Sequence, residues 1–192
     1  MNALIICFAE DKRPAYVDLV RSAGIEDMTL SSGDNVRHLV TERTFDVIVT
    51  VLPFEREFGL DTAAFISGRT DAEQVIFVPS KVYDEVCSKA VGLPVSILPK
   101  NVPANIAVNT IRRALSVKCS LDKVKNENDD LRRRAEDEKL IYRAKCVLIE
   151  YLKLSEPDAH RLLQKRAMDR RTSLADAARS VLNTYEYREG LD

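Results

Sequence analysis

Short, uninterrupted apolar runs at residues 4–8, 28–30, 46–52, 75–79 and 95–98 alternate with stretches at 14–23, 35–42, 62–67 and 82–91, where apolar positions return every three or four residues. The runs are rich in Ile and Val and lack the in–out alternation of a half-exposed strand. That suits a parallel sheet covered on both faces. Strand–helix alternation at this rhythm predicts a doubly wound α/β domain of five strands. Gly24 and Gly92 each follow a helical pattern and read as helix C-caps.

The pattern then changes. Residues 104–155 contain neither Gly nor Pro, with Pro103 placed to open a helix and Pro157 to mark the next break. One helix over this span would be about 75 Å long at a rise of 1.5 Å per residue. Its apolar seam runs Leu121, Val124, Asn128, Leu131, Ala135, Glu138, Tyr142. With Leu121 at a, Val124 and Leu131 fall at d, and Asn128 and Ala135 at a. Asn at a single a position is the register-fixing device of a parallel two-stranded coiled coil, so a homodimer is expected through Leu121, Val124, Asn128, Leu131 and Ala135. The plainer reading is a solvated helix joining two domains. A lone helix of this length has little stability of its own, which favours the dimer.

From residue 139 onward the pattern is that of a three-helix bundle. Ile141, Ala144, Leu148, Ile149 and Leu152 line the end of the long helix; Ala159, Leu162, Leu163 and Ala167 line a second, and Leu174, Ala177, Ala178, Val181 and Leu182 a third. Ser155 with Asp158, and Ser173 with Asp176, are capping pairs. The organisation is therefore a domain over 1–115, a linker helix over 116–138 and a helical module over 139–192.

Composition restricts the chemistry. Of 192 residues, 45% are hydrophobic, and 29 Lys+Arg against 30 Asp+Glu leave a net charge of -1. No apolar run approaches the length of a membrane span, and the short run at 4–8 lacks the basic leader of a signal peptide. Cys7, Cys87, Cys119 and Cys146 are scattered, as expected of buried free thiols in a reduced, cytoplasmic setting. His38 and His160 have no Cys or His neighbour at ligand spacing, so neither a metal nor a cofactor is expected. No phosphate-loop, dinucleotide-binding, serine-hydrolase or zinc-protease motif occurs, and no enzyme activity is expected.

The balance hides an asymmetry. Residues 139–192 hold 11 Lys+Arg and 8 Asp+Glu, a net of +3 against -4 for the remainder. The excess concentrates at Arg161, Lys165, Arg166, Arg170 and Arg171, which form two adjacent rows at helical spacing, with Arg143 and Lys145 on the preceding helix. A basic face on a small bundle is the electrostatic footprint of phosphate binding, though such faces also occur merely solvated.

Over this module the sequence Ile141-Tyr-Arg-Ala-Lys145, Leu154-Ser-Glu156, Ala159-His160, Leu162-Leu163, Lys165, Ala167-Met-Asp169, Arg171, Ser173-Leu174 and Ala177-Ala178 resembles an ANTAR domain. This RNA-binding module is named for the AmiR and NasR transcription antitermination regulators. What precedes it resembles a flavodoxin-like receiver domain joined by a coiled coil. The resemblance implies a dimer that binds two successive hairpins in a leader transcript and prevents a terminator from forming. Two bundles joined through their linkers would gain avidity on such an RNA. The RNA-contact candidates are Arg143, Lys145, His160, Arg161, Lys165, Arg166, Arg170, Arg171, Thr172 and Ser173. The cations would neutralise phosphate. Thr172 and Ser173 would either offer hydroxyls at a helix N-terminus or simply cap it. Tyr142 and Tyr151 are stacking candidates, but Tyr142 falls on the seam and reads as core.

The resemblance to a receiver also shows what is missing. A phosphorylated receiver has an acidic pair after its first strand, an Asp at the end of its third, a Ser or Thr after the fourth and a Lys after the fifth. Counting back from Pro53 puts the acceptor position on Val49, with Thr50 beside it; neither forms an acyl phosphate. Glu10 and Asp11 lie one or two residues late for the pair, while Ser80 and Lys100 match the last two positions. A pseudo-receiver is expected, its input coming from a regulatory sensor protein, a ligand or concentration. The rival readings are a dimeric adaptor that docks proteins and a DNA-binding response regulator; the absence of a helix-turn-helix signal disfavours the second.

Overall fold

A computed structural model describes residues 1–33, 35–52 and 58–189. The chain divides into two compact units, Met1–Lys123 and Val124–Asp192. In the first unit the strands are β1 (Asn2–Cys7), β2 (Asp27–Ser31), β3 (Val47–Val51), β4 (Glu73–Val78) and β5 (Val95–Pro99). Helices α1 (Arg13–Ser22), α2 (Val36–Glu42), α3 (Phe58–Ser67) and α4 (Tyr83–Lys89) separate them, and α5 (Ala104–Leu152) follows. All four strand pairings are parallel, in the order β2-β1-β3-β4-β5. This is the doubly wound receiver-like fold, with its topological switch between β1 and β3.

The burial pattern explains the unbroken apolar runs. Every residue of β3 is buried, and β1 and β4 are buried beyond their first residue. Alternate side chains serve opposite layers. Ala3, Ile5, Val49 and Phe77 face Tyr16 and Val20 of α1 and Ala107 and Ile111 of α5. Leu4, Ile6 and Ile48 face Val36 and Val40 of α2 and Ile66 of α3. Tyr16 meets Phe77 edge-to-face at 5.0 Å between ring centroids, and burial raises its phenol pKa, with Cys7 adding to the effect.

Helix α5 is a single element of 49 residues. It stops at Leu152 because Lys153 adopts a left-handed conformation, φ 52°. In the second unit, Ala144 and Leu148 of α5 pack with Ala159 and Leu163 of α6 (Glu156–Arg170) and with Ala178, Val181 and Leu182 of α7 (Leu174–Glu189). Ser155 caps α6 by accepting from the Asp158 N–H at 3.4 Å; the Asp158 carboxylate in turn accepts from the Ser155 hydroxyl at 2.5 Å. Ser173 and Asp176 repeat the arrangement on α7.

Leu148 is fully buried in this small core. Leu148→Ala should cost about 2–5 kcal/mol, read as a lower urea midpoint for the C-terminal unit.

Candidate nucleic-acid interface

Helix α6 turns Ala159, Leu163 and Ala167 into the bundle core. The opposite positions, Arg161, Lys165, Met168 and Thr172, recur every three or four residues and are exposed. Arg166 and Arg170 form the adjacent row. The structure therefore places Arg161 and Lys165 on the outward side of α6, while Arg166 is half-buried and Arg170 reaches Ser180 of α7.

Their engagements differ. Arg161 Nη2 lies 3.6 Å from Asp158 Oδ1, and Arg170 Nη1 donates to Ser180 Oγ at 2.8 Å. Lys145, whose side chain is only 18% exposed, pairs with Glu156 at 2.7 Å. That hydrogen bond, then the Lys145 charge, holds the Glu156 carboxyl below its ordinary value, with a smaller contribution from His160. The side chains of Lys165, Arg166 and Arg171 make no hydrogen bond or ion pair among the described residues. They can meet a phosphate without first giving up a protein partner.

Arg171 ends α6 in the left-handed conformation, φ 53°, where glycine is the usual residue. Its N–H donates to the Met168 carbonyl at 3.2 Å, and the Thr172 N–H to that of Ala167 at 3.0 Å. The Ser173 hydroxyl accepts from the Asp176 N–H at 3.0 Å and donates to the Asp176 carboxylate at 2.8 Å. Of the two hydroxyls, that of Ser173 is committed to the cap. His160 is half-buried, and Arg143 is exposed and interacts within the protein.

Two exposed side chains extend the site beyond the charged residues. Met168 is 78% exposed between Lys165 and Thr172, and Tyr142 is 64% exposed rather than part of this chain's core. Both positions are legible only once the bundle's packing is known. Tyr151 packs against Tyr185, ring centroids 5.1 Å apart.

The first unit presents a different picture at the C-terminal ends of its strands. Cys7 closes β1 and Phe8 follows it. A Cβ at Gly33 would come within 2.4 Å of the Phe8 ring, so that close approach requires glycine, at φ +107°. Glu10 and Asp11 sit in a 3₁₀ turn, Glu10–Lys12. The Glu10 side chain is exposed and ion-paired to Arg13 at 3.2 Å. Val49 is fully buried at mid-strand and Thr50 is buried beside it; β3 contains no carboxylate. Pro53, the reference point for the acceptor position, lies outside the described residues. The Ser80 hydroxyl hydrogen-bonds Asn101 Oδ1 at 2.5 Å. Burial pushes the Lys100 pKa down and the Lys12 charge pushes it further, with Cys7 opposing. The carboxylates that a magnesium ion and an aspartyl phosphate require are not brought together among the described residues.

Residues 129–182 match the model of the ANTAR domain. The chain is 27% identical over 183 residues to the transcriptional regulatory protein PdtaR from two strains of Mycobacterium tuberculosis, spanning 93% of this chain and 89% of that one. A response regulator receiver domain protein from Clostridium thermocellum matches 62% of this chain and 98% of its own, with TM-score 0.52 and 19% identity. An adenylate cyclase from Rhodopirellula baltica matches 65% of this chain and 96% of its own, with TM-score 0.50 and 12% identity. At those identities the two structures share a fold with this chain and nothing more. The chain carries an ANTAR domain behind a receiver-like α/β domain. Among the described residues, no helix is long and apolar enough to cross a membrane.

Arg171→Gly separates the two roles of that residue. Relief of the left-handed strain should raise stability by up to about 1 kcal/mol, seen in thermal unfolding, while affinity for a polyanion falls.

Proposed function

We propose that this protein is a transcription antitermination regulator whose dimer binds two successive hairpins in a leader transcript. The observation that carries the reading is the set of cations Lys165, Arg166 and Arg171, on α6 and its C-cap within the matched ANTAR domain, whose side chains have no hydrogen-bond or ion-pair partner among the described residues. RNA hairpins are recognised by shape, phosphate contact and base stacking rather than through a groove that a helix enters. A convex basic helix bordered by exposed Met168 and Tyr142 suits that chemistry.

The dimer rests on the middle of α5. Every residue from 123 to 139 is exposed in this chain, Leu131 at 63% and Val124 at 62% among them. An isolated helical stretch of that kind gains little from propensity alone, and a second copy offers Leu121, Val124, Asn128, Leu131 and Ala135 matching holes. The α/β domain acts as a pseudo-receiver: Val49 replaces the phosphoacceptor, and Glu10 and Asp11 lie one or two residues late for the acidic pair after β1. Input reaches it through a sensor protein, a ligand or concentration instead of aspartyl phosphorylation.

The test is a gel shift with a two-hairpin leader RNA, with duplex DNA at equal salt as control. Binding is expected for the RNA, to weaken steeply with salt, and to require both hairpins. Replacing Lys165, Arg166 or Arg171 by Gln should lower the log–log salt slope by about 1 for each phosphate no longer neutralised. Equal retention of duplex DNA, or a salt-independent complex, would overturn the reading. Leu131→Asp should give monomers in analytical ultracentrifugation and remove the two-hairpin advantage. Incubation with acetyl phosphate and magnesium should leave the intact mass unchanged.

A further inference from the structure

Tyr142 serves no core in this chain. Its ring is 64% exposed on one wall of a groove of about 710 Å³ within the C-terminal unit. That volume falls in the roughly 300–1,000 Å³ range of clefts that take small organic ligands. Ile141 and Leu174 give the groove apolar lining, and Lys139, Arg143, Lys145 and His160 also border it. Lys145 Nζ stands 5.9 Å from the Tyr142 ring centroid, positioned by its 2.7 Å ion pair with Glu156.

The heptad accounts for why the ring stays open. Glu138 occupies a d position, where a carboxylate ends an apolar seam. Pairing of two chains through Leu121 to Ala135 therefore stops short of Tyr142.

Charge and shape select the occupant. The cations bordering the groove suit a phosphodiester. An exposed ring suits another flat π face. Glu138, also in the groove's lining, repels a phosphate but accepts a hydrogen bond from an exocyclic amine, as carboxylates do from cytosine N4. A free phosphate meets only the first of these features, and an apolar helix only the second; a nucleotide meets all three.

We propose that this groove is a base-binding subsite. An unpaired RNA base carrying an exocyclic amino group stacks on Tyr142, while its flanking phosphates lie against Lys139 and Arg143. The proposal rests on the RNA reading above and adds to it a specific aromatic platform.

The probe is a pool of synthetic RNAs with two successive stem–loops and randomised loops, from which the full-length chain retains a sequence. Tyr142→Ala should bind that RNA about 5- to 100-fold more weakly, the range set by loss of one base stack, with the salt slope unchanged. Tyr142→Phe should bind like the parent. Tyr142→Leu keeps an apolar residue at the seam position and should bind as weakly as Tyr142→Ala, with circular dichroism and oligomeric state preserved. Replacing one particular loop base by an abasic nucleotide should abolish the difference between parent and Tyr142→Ala. Parent-like binding by Tyr142→Leu overturns the subsite, and so does strict additivity at every loop position. In either case the RNA reading stands. If the parent chain retains no RNA from the pool, both fall together.

Discussion

The structure depends on one continuous helix that belongs to two cores. α5 gives Ala107, Ile111, Ala114 and Leu115 to the α/β domain and Ala144 and Leu148 to the bundle. Between those sets, every residue from 123 to 139 is exposed. A helix is held chiefly by burial of an apolar stripe, and propensity alone leaves an isolated stretch of this length marginal. The absence of Gly and Pro between 104 and 155 keeps local breaks out of the exposed segment. Local ion pairs such as Lys118–Asp122 at 2.6 Å and Arg133–Asp130 add modest support. On the dimer proposed above, the apolar seam supplies what remains once a second copy covers it.

Local pairing also shapes the basic face. Two of the three carboxylates on α6 are engaged close by: Asp158 near Arg161, and Glu156 on Lys145. Arg170 is held by a hydroxyl. Among the described residues the side chains of Lys165, Arg166 and Arg171 are left over, so the cationic potential is concentrated in fewer groups than a count of charges suggests. A paired cation must exchange partners before it meets a phosphate, and the exchange cancels most of the gain in a screened, solvated setting. An unpaired one has only its hydration to rearrange.

Most of the fold was legible from sequence because its determinants are local. β-branched runs bounded by turns gave the five strands to within about two residues at either end, and Ser155 and Ser173 marked the starts of α6 and α7. Events that depend on tertiary geometry were not legible. The end of α5 falls at Lys153, a residue with no breaking tendency, forced left-handed as the chain turns into the bundle. Helix α3 begins at Phe58, four residues ahead of the periodic signal. Tyr142 keeps seam spacing yet stays exposed, because spacing alone does not say where a seam ends. Ser173 was readable as a cap or as an RNA contact, and its two hydrogen bonds to Asp176 establish the capping role. The acceptor position landed on Val49 by counting, and the side chain there proves to be core.

On the pseudo-receiver reading, a degenerate site leaves a sound domain for a physical reason. Clustered carboxylates at the ends of parallel strands repel one another and resist burial, so a working phosphorylation site costs stability that a metal ion must offset. Here the strand ends carry Cys7, Val51 and Val78, all buried. Phe8 lies over Gly33, and Glu10 turns out to solvent to pair with Arg13. Lys100 is the remnant: without a carboxylate of the acceptor kind on β3, its ammonium is disfavoured by burial and by Lys12. On the pseudo-receiver reading, such a sheet is suited to present a fixed surface, and the conformational signal comes from binding instead of phosphoryl transfer.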